Sequence, residues 1–165
     1  MWQLSQDAVL TRQVMKNRRW PGNPKCSFCN EVESPKHLFF TCPVARVIWR
    51  CLGMALGTDL CPNSYWQYFA WCNTFLPTGG RYYTVGLAAV CWAIWLARNR
   101  ATFERKQIKT PFEIVFSMIS FLLYWAGLQQ EAGLKELRSG AEMVRSSTMQ
   151  MMKMCEAVRR PIEGE

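Results

Sequence analysis

Three cysteines and the single histidine of the chain fall together in the pattern Cys26-x2-Cys29-x7-His37-x4-Cys42. Two thiols three residues apart can face one cation across a tight turn, while a second pair of ligands arrives from the next element. Thiolate and imidazole together form the ligand set of tetrahedral zinc. Three thiolates and one imidazole fill all four positions, so the ion is expected to organise structure rather than to activate a water molecule. The competing reading takes the cysteines as buried small hydrophobes and His37 as a surface residue, and it leaves the placement of the histidine to coincidence. Cys51, Cys61, Cys72, Cys91 and Cys155 have no partners at ligand spacing, and most lie in apolar helical stretches, so they read as core thiols.

The elements that must carry these ligands are helical by pattern. Gln6–Asn17 reads as a short helix with Ser5 as its cap, and the prolines of Trp20-Pro21-Gly22-Asn23-Pro24 end it. Cys26–Cys29 forms a tight turn. Ser34-Pro35 is a helix start that places His37 to Phe40 in a first turn, and Pro43 restarts a helix to about Leu56. Further helices are expected from Pro62 to about Phe75 and from Tyr82 to about Lys106. The next starts at a capping box in which Thr110 caps and Glu113 reaches back. Beyond Gln130, Leu134, Leu137, Ala141 and Val144 recur at helical spacing, and 159–165 reads as a frayed tail. The apolar runs Tyr82–Ala97 and Ile114–Leu128 are shorter than the roughly 20 residues a bilayer span needs, so packing against each other is preferred to membrane insertion. The fold class expected is all-α, a small irregular helical domain with one structural Cys3His zinc site. Its three segments are a zinc-binding segment at 1–60, an apolar helical segment packing with it at 61–128, and an amphipathic C-terminal helix and tail at 129–165.

The 165 residues carry a net charge of +8, and the excess is uneven: residues 1–50 hold eight Lys/Arg against three acids, whereas 111–165 hold six against seven. Such an excess favours an anionic partner. The charged residues near the N-terminus, Asp7, Arg12, Lys16, Arg18 and Arg19, argue against a secretory signal, so an intracellular location in cytoplasm or nucleus is expected. Ser5–Arg19 is basic and roughly amphipathic, which makes mitochondrial targeting the alternative.

At Leu10-Thr11-Arg12, Arg19-Trp20, Cys26-x-x-Cys29, Glu33, His37-Leu38-Phe39-Phe40, Cys42-Pro43, Ala45-Arg46 and Trp49 the chain resembles the zinc-binding domain at the C-terminal end of plant LINE-type retrotransposon reverse transcriptases. Trp92-x-x-Trp95, Arg98-Asn99 and Phe103 are similar to the segment C-terminal to that domain in such polyproteins, and the likeness spans roughly residues 10–128. The resemblance implies Cys26, Cys29, His37 and Cys42 as metal ligands and a role in holding template nucleic acid beside a polymerase. The polymerase and endonuclease domains that would precede it are missing, so a stand-alone fragment is expected. The only aspartates, Asp7 and Asp59, lie in unrelated segments and cannot supply a two-metal carboxylate cluster. There is no Gly-rich phosphate cradle, and no second histidine for a Ser-His or Cys-His couple. The chain is therefore read as no enzyme, with no small-molecule substrate.

Two functions compete. The first is nucleic-acid binding by Arg12, Lys16, Arg18, Arg19, Lys25, Arg46 and Arg50, with Trp20 and Phe28 available for stacking. The second, ranked ahead, is a protein-interaction module whose apolar helices engage a protein partner or a second copy, with Trp92, Trp95 and Trp125 as candidate contacts.

Overall fold

A computed structural model of the chain describes residues 2–6, 8–58 and 61–159, so Asp7, Asp59 and all but the first residue of the expected tail lie outside the described residues. The order of elements is α1 (Trp2–Ser5), α2 (Arg12–Asn17), a π-helical turn (His37–Thr41), α3 (Pro43–Ala55), α4 (Tyr65–Phe75), α5 (Gly80–Phe103), α6 (Phe112–Ala126) and α7 (Glu131–Arg159). The described residues contain no strand; extended pairing is limited to one isolated antiparallel bridge, Lys25 with Val32. The all-α class read from the sequence is the class of the structure.

Local chemistry explains most boundaries. Pro43 opens α3, where its missing N–H loses nothing, and Gly57 closes it at φ 69°. The closing bonds, Thr58 N–H to the Gly53 carbonyl and Gly57 N–H to the Met54 carbonyl, form a Schellman motif. The Ser64 hydroxyl caps α4 by accepting from Gln67 N–H, while the Gln67 side chain accepts from Asn63 N–H. At α6 only half of the expected capping box forms: Glu113 accepts from the amides of Thr110 and Lys109, and the helix has no side-chain N-cap.

The single helix expected over Gln6–Asn17 is corrected. Within that span only α2 (Arg12–Asn17) is helical among the described residues, because the start of α2 is fixed by a tertiary contact. Arg12 N–H donates to a Glu33 carboxylate oxygen at 2.9 Å, and Gln13 N–H donates to the Glu33 carbonyl at 3.1 Å. Glu33 thus serves the orphan amides that a Ser or Asp cap would otherwise satisfy.

Helix α6 lies at the centre and packs on α5, α7 and α3; the π turn packs on α3 and α5. Ile114, Val115 and Met118 of α6 meet Leu87, Val90 and Ile94 of α5 and Ala141 and Val144 of α7 in one buried cluster that also takes in Leu38, Ile48 and Trp49. Each such large apolar side chain contributes about 1.5–3 kcal/mol on burial. Among the described residues no helix is long and apolar enough to cross a membrane.

Candidate metal centre

The Cys26–Cys29 turn is closed from both sides by backbone bonds, Cys26 N–H to the Glu31 carbonyl at 2.8 Å and Glu33 N–H to the Pro24 carbonyl at 2.9 Å. Phe28 N–H points back at Cys26 Sγ at 3.4 Å, a donor that favours the thiolate. Ser34 Oγ accepts from His37 N–H at 2.9 Å and so fixes the entry to the π turn, in keeping with the helix start expected at Ser34-Pro35. Residues five apart on an α-helix lie about 140° apart around the axis and cannot share a ligand. The π turn removes that obstacle: its bond from Cys42 N–H to the His37 carbonyl, at 2.7 Å, spans five residues and brings both side chains to one face.

The four ligand atoms all lie within 4.8 Å of one another, and Cys29 Sγ stands 3.2 Å from His37 Nε2. Zinc sits about 2.3 Å from thiolate sulfur and about 2.0 Å from imidazole nitrogen, so its ligand atoms stand about 3.5–3.8 Å apart in a tetrahedron. The widest pair has to close by about 1 Å to meet that shape. Cys26 and Cys42 are buried, whereas Cys29 and His37 are half-buried. A hydrogen bond from the Cys42 thiol lowers the pKa of Cys26 to about 5, and the same bond pushes Cys42 up. Desolvation raises Cys29. The donor set suits zinc, which in this Cys3His site would supply a structural cross-link between turn and helix.

Glu33, which the sequence marks only through the resemblance, holds the centre to the helical body. Its carboxylate is completely buried and accepts from Arg98 Nη2 at 2.7 Å and from Arg98 Nε at 3.1 Å. Ser27, inside the cysteine turn, shares a 2.8 Å hydrogen bond with Thr102 on the same face of α5. The signal available in the sequence was two acids, Glu31 and Glu33, between the ligand pairs and an arginine ending an apolar run. Nothing there joins residues 65 apart.

Arg12 is held as an internal brace: its guanidinium donates to the Lys25 carbonyl, Ser27 Oγ and Thr102 Oγ1. Lys16, Arg18, Arg19 and Lys25 are exposed on the zinc segment, and Arg46 and Arg50 are exposed one turn apart on α3. Trp20 is 37% exposed, whereas Phe28 is half-buried. The three candidate tryptophans do meet: Trp92, Trp95 and Trp125 line one groove of about 390 Å³ with Leu10 and Phe39. No local signal in the sequence marks Phe39 as a groove residue, and it lies between ligands His37 and Cys42.

Residues 1–49 match the family model described as zinc-binding in reverse transcriptase. The match contains all four ligands, ends within α3 and includes none of α4 to α7. No curated protein and no solved structure gives a significant match.

Proposed function

We propose that this chain is a non-catalytic, zinc-stapled helical module derived from a plant retrotransposon reverse transcriptase, and that it binds or inhibits a protein partner or associates with itself. The observation that carries the reading is the convergence of Trp92, Trp95 and Trp125 on one groove beside the zinc segment, with Trp92 47% exposed and Leu10 49% exposed. Protein interfaces are enriched in tryptophan at their centres and depleted of charge there, and among the described residues no charged side chain lines this groove. With four protein ligands the zinc has no open position for substrate, which supports a role other than catalysis.

The reading is tested by size-exclusion chromatography with light scattering for self-association and by affinity capture from the source tissue, with and without nuclease. Each is repeated on Trp92→Ala, whose exposed side chain can be removed without opening the core. Association that survives nuclease and falls in the variant is the expected result. Association unchanged by the substitution, or abolished by nuclease, contradicts it.

A second reading is supported by the exposed Lys16, Arg18, Arg19 and Lys25 with Trp20 on the zinc segment. Nucleic acid held there would dissociate steeply with rising salt, since each neutralised phosphate releases condensed counterions. Arg18→Ala, Arg19→Ala and Lys25→Ala together would lower both affinity and salt slope in a filter-binding titration. Apolar association instead persists at moderate salt.

A further inference from the structure

Helix α5 presents a single face to two sites. Cys91, Trp92 and Trp95 lie in the tryptophan groove, and one to two turns further along Arg98 and Thr102 hold the zinc segment. The two sites share side chains as well as a helix. Arg98 donates to Glu33 from one edge of its guanidinium while its carbon centre lies 5.0 Å from the ring centroid of Trp95, so the same cation is clamped by the zinc segment and covers a groove tryptophan. Phe39, a groove wall, is carried on the π turn that exists only between His37 and Cys42.

We propose that zinc occupancy sets the shape of the tryptophan groove, through Glu33, Arg98 and Trp95 on one side and through Phe39 on the other. When the ion leaves, the turn that carries Glu33 and the π turn that carries Phe39 lose their common anchor. Arg98 is then a buried cation with a loosened counter-ion, and it follows Glu33 toward water rather than staying over Trp95. Trp95 and its neighbour Cys91 become accessible while the α3–α6–α7 packing stays closed. The groove is thereby a metal-dependent surface: a partner that docks there, on the reading given above, binds the zinc form and not the metal-free form.

Cysteine accessibility measures this without a partner. Cys91 lines the groove and is 8% exposed, and Cys51, completely buried where α3 meets α7, reports on the rest of the fold. Burial raises the pKa of both thiols, so neither reacts readily in the intact protein. The full chain is treated with N-ethylmaleimide before and after zinc withdrawal by EDTA, and labelling at each cysteine is read by peptide mass spectrometry. Labelling of Cys26, Cys29 and Cys42 verifies metal removal. The expected result is a rise of about tenfold or more at Cys91 with Cys51 still protected. Cys91 staying protected overturns the proposal, and so does Cys51 opening together with Cys91, which would mean that zinc merely holds the whole fold. Arg98→Lys keeps a cation opposite Glu33 but lacks the planar group that lies against Trp95. With zinc content unchanged it is expected to raise Cys91 labelling, and wild-type protection there would also overturn the proposal. These outcomes concern the coupling alone; the docking reading fails separately, if Trp92→Ala leaves association with the zinc form unchanged.

Discussion

At the scale of single residues, the chemistry rests on four ligands and one ion pair. Metal-free Cys26 is already a thiolate near neutral pH because the Cys42 thiol donates to it, whereas Cys42 and Cys29 are pushed upward. Zinc needs all three sulfurs ionised, so binding at pH 7 should release about two thiol protons rather than three. Isothermal titration in buffers of different ionisation enthalpy counts them, and a release of three would contradict the Cys26–Cys42 bond. In acid the direction is set by the lowered thiol: Cys26 favours its charged form down to about 5, and zinc retention should fall as pH drops through that region and protons compete for the sulfurs. The Glu33–Arg98 pair, with side chains 0% and 2% exposed, makes a second prediction. Glu33→Gln leaves a buried guanidinium without a counter-charge and should cost about 3–5 kcal/mol, while Glu33→Gln with Arg98→Met should recover a large part of it. Urea denaturation of the two variants decides this; equal losses would mean that the charge is not what matters.

At the scale of elements, the π turn is the device that fits an x4 spacing to one metal. Deleting Thr41 would restore ordinary α-helical spacing between His37 and the next cysteine, but it would turn α3 by about 100° relative to the ion. Ile48 and Trp49, now completely and almost completely buried, would leave the core. A fall of about 10 °C or more in Tm is expected even if zinc is kept, since about 3 kcal/mol or more of packing would be lost. Calorimetry showing an unchanged Tm would contradict the role assigned to the turn. Helix positions were legible wherever the signal was local: Pro43, Glu113, and the Leu137, Ala141, Val144 spacing of α7. The ligands were legible for the same reason, because sixteen residues of spacing between Cys26 and Cys42 carry the whole motif. The start of α2 was not, because Glu33 supplies its cap from a distant position in the chain. Nor was the inward turn of Arg12, whose partner Thr102 lies 90 residues away. A basic residue reads alike from the sequence whether it faces water or a buried hydroxyl.

At the scale of the whole molecule, the zinc segment and the helical body share contacts that a division at residue 60 would cut, among them Glu33 with Arg98 and Ser27 with Thr102. Structural zinc contributes about 10–16 kcal/mol of apparent binding energy in small peptides, comparable to the about 5–15 kcal/mol net stability of a domain. Metal loss should therefore loosen the cysteine turn and the π turn that precede α3, while the packing of α3, α5, α6 and α7 retains its own apolar core. Native mass spectrometry of the purified full chain, with Cys29→Ala and His37→Ala measured beside it, tests the zinc centre most directly. One zinc per chain in the parent protein, sharply reduced in both variants together with thermal stability, is the result predicted; a folded parent chain carrying far less than one zinc, or variants that keep both metal and stability, would contradict it.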